Sequence, residues 1–186
     1  MKTRAAHASL NPNENLGDRI LKVNHAGEHG AVNIYRGQLL LARFTAPGQV
    51  PVLETFLEHE RRHRHIFETE LARRGQRRCR SFLLCGAGGY ALGMVTGLFG
   101  KRAIGATTYA VEHVVLQHLQ AQLAALHGHD SHAVAAIGQI IADETVHMDH
   151  YAETTAGDRF WRSVLQPLVA ASTEAVIWLG MHLRSR

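Results

Sequence analysis

Proline is scarce in this chain, four in 186 residues, so little stands in the way of long helices. Cysteine is scarcer still: Cys79 and Cys85 form neither a metal-ligand spacing nor a disulfide framework, a usage that fits a reducing compartment. No segment alternates apolar and polar residues over the length of a strand, so no sheet is expected. No Gly-x-Gly-x-x-Gly sequence occurs, which removes the usual fingerprint of a bound flavin or nicotinamide. Basic residues are not interleaved with aromatics, and nucleic acid is not expected as a partner. The first 16 residues hold no apolar run and so lack the centre of a secretory signal. Residues 1–16 read as a flexible tail, with Lys2 and Arg4 leaving a short organelle presequence open.

The remainder, 17–186, has the size and the apolar content (46% for the whole chain) of one globular domain. Helical periodicity predicts helices over Asp18–Phe44, Val52–Arg74, Ile104–Leu126, His132–Thr155 and Trp161–Leu183. Ala46-Pro47-Gly48, Gly75, the stretch His127–Ser131 and Gly157-Asp158 punctuate them. The fold class expected is all-α. The net charge of +4 reads either as solvated surface or as attraction to acidic phospholipid.

An internal repeat carries most of the information. Glu60-Arg61-Arg62-His63 and Glu144-Thr145-Val146-His147 are both Glu-x-x-His, and residues three apart share a helix face. Glu28 stands 32 positions before Glu60, and Glu112 stands 32 before Glu144. Measured from the turns near Pro47 and Asp130, each pair reaches a similar height along its hairpin. One Glu from each of two helices and Glu-x-x-His from each of two others is the ligand pattern of ferritin-like di-iron and di-manganese bundles. Carboxylates offset the charge of two cations and can bridge them, imidazole suits iron, and the lack of thiolates argues against iron–sulfur clusters and structural zinc. The expected metal ligands are Glu28, Glu60, His63, Glu112, Glu144 and His147, holding two iron ions per chain.

Around them, His118 lies six positions after Glu112 and reads as a ligand, an outer hydrogen-bond partner or a structural histidine. Asp143 can hold the free ring nitrogen of His63 across the bundle, or be a surface carboxylate. Tyr35, two turns from Glu28, reads as core with an outer role at the site as the alternative. His25, His29, His59, His65, His113 and His150 read as surface or packing residues.

These residues resemble the demethoxyubiquinone hydroxylases, the di-iron monooxygenases of ubiquinone biosynthesis. The resemblance rests on the run Val23–Ala31, on Ile34-Tyr35 and Gly37-Gln38, on Glu60 with His63, on Ala110-Val111-Glu112, and on Asp143-Glu144 with His147 and Asp149. It extends from about Gly17 to Leu183. It implies the six metal ligands above, a histidine beside the site at His118, and O2-dependent hydroxylation of a polyprenyl methoxy-methyl-benzoquinol. Two positions depart from the family pattern: Leu119 follows His118 where a tyrosine is usual, and His113 follows Glu112 where many members carry a carboxylate. Electrons come from an external source or from the quinol itself. A homo-oligomer is open. Competing readings are another ferritin-like di-iron oxidase or peroxidase, and a non-catalytic lipid-binding protein.

Ser81–Gly100 carries no charged residue and is flanked by Arg77, Arg78 and Arg80 before it and by Lys101 and Arg102 after it. It has about the length of a membrane span. A single crossing would put Glu28, Glu60 and His63 on one side and Glu112, Glu144 and His147 on the other. The segment therefore dips and returns, lies in the bundle, or lies at a lipid interface, and the last is the expectation. The helix from Trp161 would extend that apolar surface. The location expected is peripheral, on the cytoplasmic face of a bacterial cell membrane.

Overall fold

The computed structural model describes residues 8–156 and 159–183. Helix α1 spans Leu16–Thr45. Asn15 caps it: its side chain accepts from the Asp18 amide while the Asp18 carboxylate accepts from the Asn15 amide. Pro47–Gln49 form a single 3-10 turn into α2, Val50–Arg73. Helix α2 ends at Gly75, whose φ of 64° is open to glycine at no steric cost. The Gln76 and Gly75 amides close back on the Leu71 and Ala72 carbonyls there. Helix α3, Phe82–Leu98, and α4, Lys101–Leu126, follow. Asp130 caps α5, Ser131–Gly138, by accepting from the Ala133 amide. Helix α6 is Ile141–Ala156, and α7 is Gln166–His182 after one π turn at Trp161–Leu165.

Helices α1 and α2 form one hairpin, α4 and α6 the other, and the two make a ferritin-like four-helix bundle. The two largest clusters of its apolar core form layers at opposite ends of the bundle. Ile20, Leu21, Phe67, Leu119, Leu126, Ile137 and Ile140 pack at one end. Val32, Tyr35, Leu39, Leu53, Phe56, Ile104 and Tyr151 pack at the other. On each of α1, α2 and α4, and across the α5–α6 stretch, the residues between these layers are the predicted ligands.

Two expectations need correction. The expected tail, 1–16, is anchored over Ser9 to Glu14, and residues 1–7 lie outside the described residues. The Ser9 amide donates to the Met181 carbonyl, and Glu14 is buried against Arg19 and Lys22 at 2.6 and 2.8 Å. Arg19 also donates to the Gly180 carbonyl at the end of α7, so Ser9, Glu14 and the start of α1 are tied to the last helix. The helix predicted over His132–Thr155 is two helices. The ladder breaks after Gly138, where the Ile140 amide turns to Ile137, and this lets both fully buried isoleucines face the core. The expected turn at Gly157-Asp158 lies outside the described residues.

Helix α3 is neither a span nor a wholly internal helix. Its glycine face lies on the backbone of α1: a Cβ at Gly89 would stand 2.4 Å from the Gly30 carbonyl oxygen, and one at Gly93 2.1 Å from that of Ile34. Only glycine permits that approach. Its other face exposes Leu83, Leu84, Met94, Val95 and Leu98.

Candidate metal centre

Helix pitch brings six side chains to one level between the two apolar layers. Ligand atoms of Glu28, Glu60, His63 and Glu144 all lie within 4.8 Å of one another, and so do those of Glu60, Glu112, Glu144 and His147. Each group has three carboxylates and one imidazole, and the groups share Glu60 and Glu144, which can bridge two ions. All six residues are buried. His63 Nδ1 lies 2.8 Å from Glu144 Oε1, and His147 Nδ1 lies 3.1 Å from Glu60 Oε1. Neither approach has hydrogen-bond alignment, and Glu60 Oε1, Glu144 Oε2 and both Nδ1 atoms have no hydrogen-bond partner. Buried polar atoms without partners are costly. Here the unpartnered atoms are the ones aimed into the two groups, and their chemistry fits metal ions.

Electrostatics supports the same fit. Burial, then the mutual repulsion of the carboxylates, pushes Glu28 and Glu112 well above the usual range; burial and the Glu144 charge do the same to Glu60. Burial opposes the charged form of His63, yet its contact with Glu144 and the Glu28 charge hold its pKa above the ordinary value. Burial also works against ionised Glu144, but His147 and His63 outweigh it and keep this carboxyl ionised. The sign of the pH effect follows. Groups whose pKa is raised by folding stabilise the metal-free fold at low pH, and that contribution is lost as pH climbs above the ordinary carboxylate value of 4.5. Metal ions displace those protons. Apparent metal affinity should therefore rise with pH. Calorimetric titration in two buffers of different ionisation enthalpy should show proton release, and an affinity independent of pH would contradict this account.

The outer contacts are specific. Asp143 Oδ2 lies 3.0 Å from His63 Nε2 and also accepts from Arg62. His59 Nδ1 lies 3.0 Å from His147 Nε2. From sequence His59 reads as a surface or packing residue, although it precedes Glu60 as Asp143 precedes Glu144. Tyr35 is buried, with its hydroxyl 3.5 Å from Glu112 Oε1, a long contact, and its ring edge-on to Phe56. It is core and neighbours the site as well. His118 joins neither ligand group among the described residues; its Nε2 meets Glu174 Oε2 of α7 at 3.0 Å. Of the histidines left as packing, His29 stacks on Phe82 and His113 on Tyr109.

A cavity of about 370 Å3 reaches the site from one side. Glu28, Glu60, Glu112 and Glu144 line it, and neither His63 nor His147 does. Its walls are Val23, Ile34, Leu92, Val111, Val115 and Ile177, between α1, α3, α4 and α7. Two polar side chains interrupt the apolar wall: His118, whose Nε2 meets Glu174 at 3.0 Å, and Asn24, whose amide exchanges hydrogen bonds with that of Gln122 at 2.8 and 3.1 Å.

The family profile of ubiquinone biosynthesis protein COQ7 matches residues 15–180. A 3-demethoxyubiquinol 3-hydroxylase of Rhodospirillum rubrum is 34% identical over 166 residues, covering 89% of this chain and 77% of the relative. The NADPH-dependent 3-demethoxyubiquinone 3-hydroxylase, mitochondrial, of Dictyostelium discoideum is 32% identical over 169 residues, with the same two coverages. Its namesake in Homo sapiens is 31% identical over 174 residues, again covering 89% and 77%. By profile, by relatives aligned along nearly its whole length and by its all-helical architecture, this chain belongs to the COQ7 family of ubiquinone biosynthesis proteins.

Proposed function

We propose that this chain holds two iron ions on Glu28, Glu60, His63, Glu112, Glu144 and His147, and uses O2 to hydroxylate the ring of a polyprenyl demethoxyubiquinol. The observation that carries this reading is the pair of four-residue ligand groups sharing Glu60 and Glu144 at the inner end of an apolar cavity. The relatives' names supply the substrate class and the reaction. Iron, when bound, supplies the reduction of O2 and the delivery of one oxygen atom to the ring. The second oxygen leaves as water, which takes two electrons and two protons from an external reductant. The chain contributes the rest. Its carboxylates face the cavity, so a ring lying there meets the metal side of the site and not the histidines. The apolar walls exclude water. Asn24 and His118, the polar side chains in that wall held by Gln122 and Glu174, offer hydrogen-bonding groups to the ring oxygens.

A polyprenyl substrate resides in lipid, and the surface around the cavity suits entry from there. Leu84 lines the cavity and is 55% exposed. Beyond α3, Phe99 meets the Trp161 ring, and α7 exposes Leu168 and Trp178. Large exposed apolar residues in such number suit a partner or a membrane. Residues Trp161–His182 are long and apolar enough to span a membrane by composition, but α7 packs on α4 and lines the cavity, which suits a helix lying at the interface. Two free buried thiols fit the reducing, cytoplasmic side. Leu83→Glu with Val95→Glu should weaken flotation with anionic liposomes by roughly tenfold or more, since each substitution forfeits about 1.5–3 kcal/mol of apolar burial. Leu92, half-buried against Ala110 and Val111, is interior and a poor probe of the same surface.

The test of function uses iron-loaded protein, a reductant, labelled O2 and a short-chain demethoxyubiquinol. The hydroxylated product should carry one labelled oxygen atom. Folded, iron-loaded protein that leaves the quinol unchanged would refute the substrate and leave the metal centre standing.

A further inference from the structure

The two halves of the site are related by the repeat, and their outer contacts cross over. The residue before Glu144 holds the histidine of the first motif: Asp143 Oδ2 to His63 Nε2, 3.0 Å. The residue before Glu60 holds the histidine of the second: His59 Nδ1 to His147 Nε2, 3.0 Å. The geometry is reciprocal and the chemistry is not. One partner is a carboxylate, the other an imidazole.

Ring directions fix the proton positions at both contacts. His63 Nδ1 and His147 Nδ1 face the carboxylates of the site, so these are the nitrogens that give lone pairs to metal. Each ring then carries its proton on Nε2 and donates outward. The His59 and His147 rings are 18° from coplanar with centroids 5.2 Å apart, as an in-plane N–H···N contact requires. His59 therefore accepts through Nδ1 and keeps its own proton on Nε2. Hydrogen bonding to an anion is stronger than to a neutral acceptor, and it passes more electron density through the ring to the metal-binding nitrogen. Arg62 shares Asp143 and tempers that effect without removing the carboxylate's charge.

Resting on the dinuclear reading above, we propose that His59 and Asp143 are unequal positioning residues that make the two metal positions chemically distinct. The position built from Glu28, Glu60, His63 and Glu144 binds the more tightly and fills first. The ligand counts of the two positions are equal, three carboxylates and one imidazole each, so the difference falls on the partner of the histidine. His59 orients His147 and sets the affinity of the second position, built from Glu60, Glu112, Glu144 and His147.

The experiment is anaerobic titration of the full chain with ⁵⁷Fe(II), followed by Mössbauer spectroscopy and by binding isotherms. Wild type should fill in two steps, with one quadrupole doublet growing before the other. His59→Phe removes the acceptor and should weaken only the second step, by roughly 10–100-fold. His59→Gln, whose side-chain oxygen can accept, should recover most of that loss. By the symmetry of the repeat, an aspartate at position 59 can reach His147 as Asp143 reaches His63. His59→Asp should therefore strengthen the second step and bring the two steps together. The proposal is overturned if the wild-type doublets grow in parallel, if His59→Phe leaves both steps unchanged or weakens them equally, or if His59→Asp fails to narrow the gap. Wild type that binds no iron would refute the metal centre itself, a separate and recognisable result. Should His59→Phe misfold, the Gln and Asp variants still decide the matter.

Discussion

Glu60→Ala should leave a folded helical chain that holds neither iron ion. Glu60 belongs to both ligand groups, so its loss would leave each ion one carboxylate short and take away a carboxylate that both could share. Glu28→Ala is the instructive contrast. Glu28 belongs to one group only, and that variant should keep an ion at the Glu60, Glu112, Glu144 and His147 position. The fold of Glu60→Ala should persist because its carboxyl is already disfavoured in the metal-free interior by burial and by the charge of Glu144. Removing it relieves repulsion there. Wild type loaded at a hundredfold excess over Kd gains about 2.7 kcal/mol per ion, or about 10 °C or more in Tm for two ions. Glu60→Ala should show no such rise. Hydroxylation should fall by about a thousandfold or more, since metal ions contribute several kcal/mol to the barrier they lower. Metal analysis, melting with and without iron, and turnover check the three statements. Two ions retained per chain would remove Glu60 from the site.

The meeting of these six side chains was legible because helix geometry is local and periodic. A spacing of 32 residues, repeated, left little freedom in where the two hairpins put their carboxylates. The approach of Asp143 to His63 was legible from the general need of a metal-bound imidazole for an outer acceptor. His59 was less legible, because an imidazole acceptor is a rarer outer partner than a carboxylate. The repeat alone pointed to it. The break after Gly138 was hidden because Ile137 and Ile140 satisfy a continuous helical pattern equally well, and only packing shows that both must turn inward. The anchoring of Ser9 depends on Met181, far away in sequence, and the pairing of Glu14 with Arg19 and Lys22 depends on how the chain enters α1; neither leaves a periodic trace. Helix α3 posed the hardest problem. Its lack of charge suggested lipid, which suits the exposed apolar face, whereas its glycines belong to the opposite face, packed against α1.

That two-faced helix gives the second large expected effect, at Gly93. A Cβ there would lie 2.1 Å from the Ile34 carbonyl oxygen, 2.9 Å from its carbon and 3.0 Å from Ile34 Cα. All three are backbone atoms of α1, and none can rotate away. Neighbouring turns are as tight: Gly97 would meet the Gln38 oxygen at 2.9 Å, and a Cβ at Gly37 would meet the Tyr90 oxygen at 2.5 Å. Gly93→Val can therefore be accommodated only by moving α3 outward as a body, which opens the contacts at Gly89 and Gly97 together. Overpacking of this kind costs about 1–3 kcal/mol, reduced by only about 0.5 kcal/mol because valine suits a helix slightly better than glycine. The displacement would reach the cavity. Leu84, Gly88 and Leu92 of α3 form part of its wall, whereas every predicted ligand sits on α1, α2, α4 or α6. Gly93→Val should thus lower the unfolding midpoint and raise KM for the quinol several-fold while iron content stays at the wild-type level. Gly88→Ala, whose Cβ would meet nothing within 4 Å, should instead stabilise the chain by about 1 kcal/mol. If Gly93→Val were as stable as wild type, the close approach of α3 to α1 would not be a feature of the protein in solution. If it lost iron instead, α3 would be part of what holds the metal ligands in place.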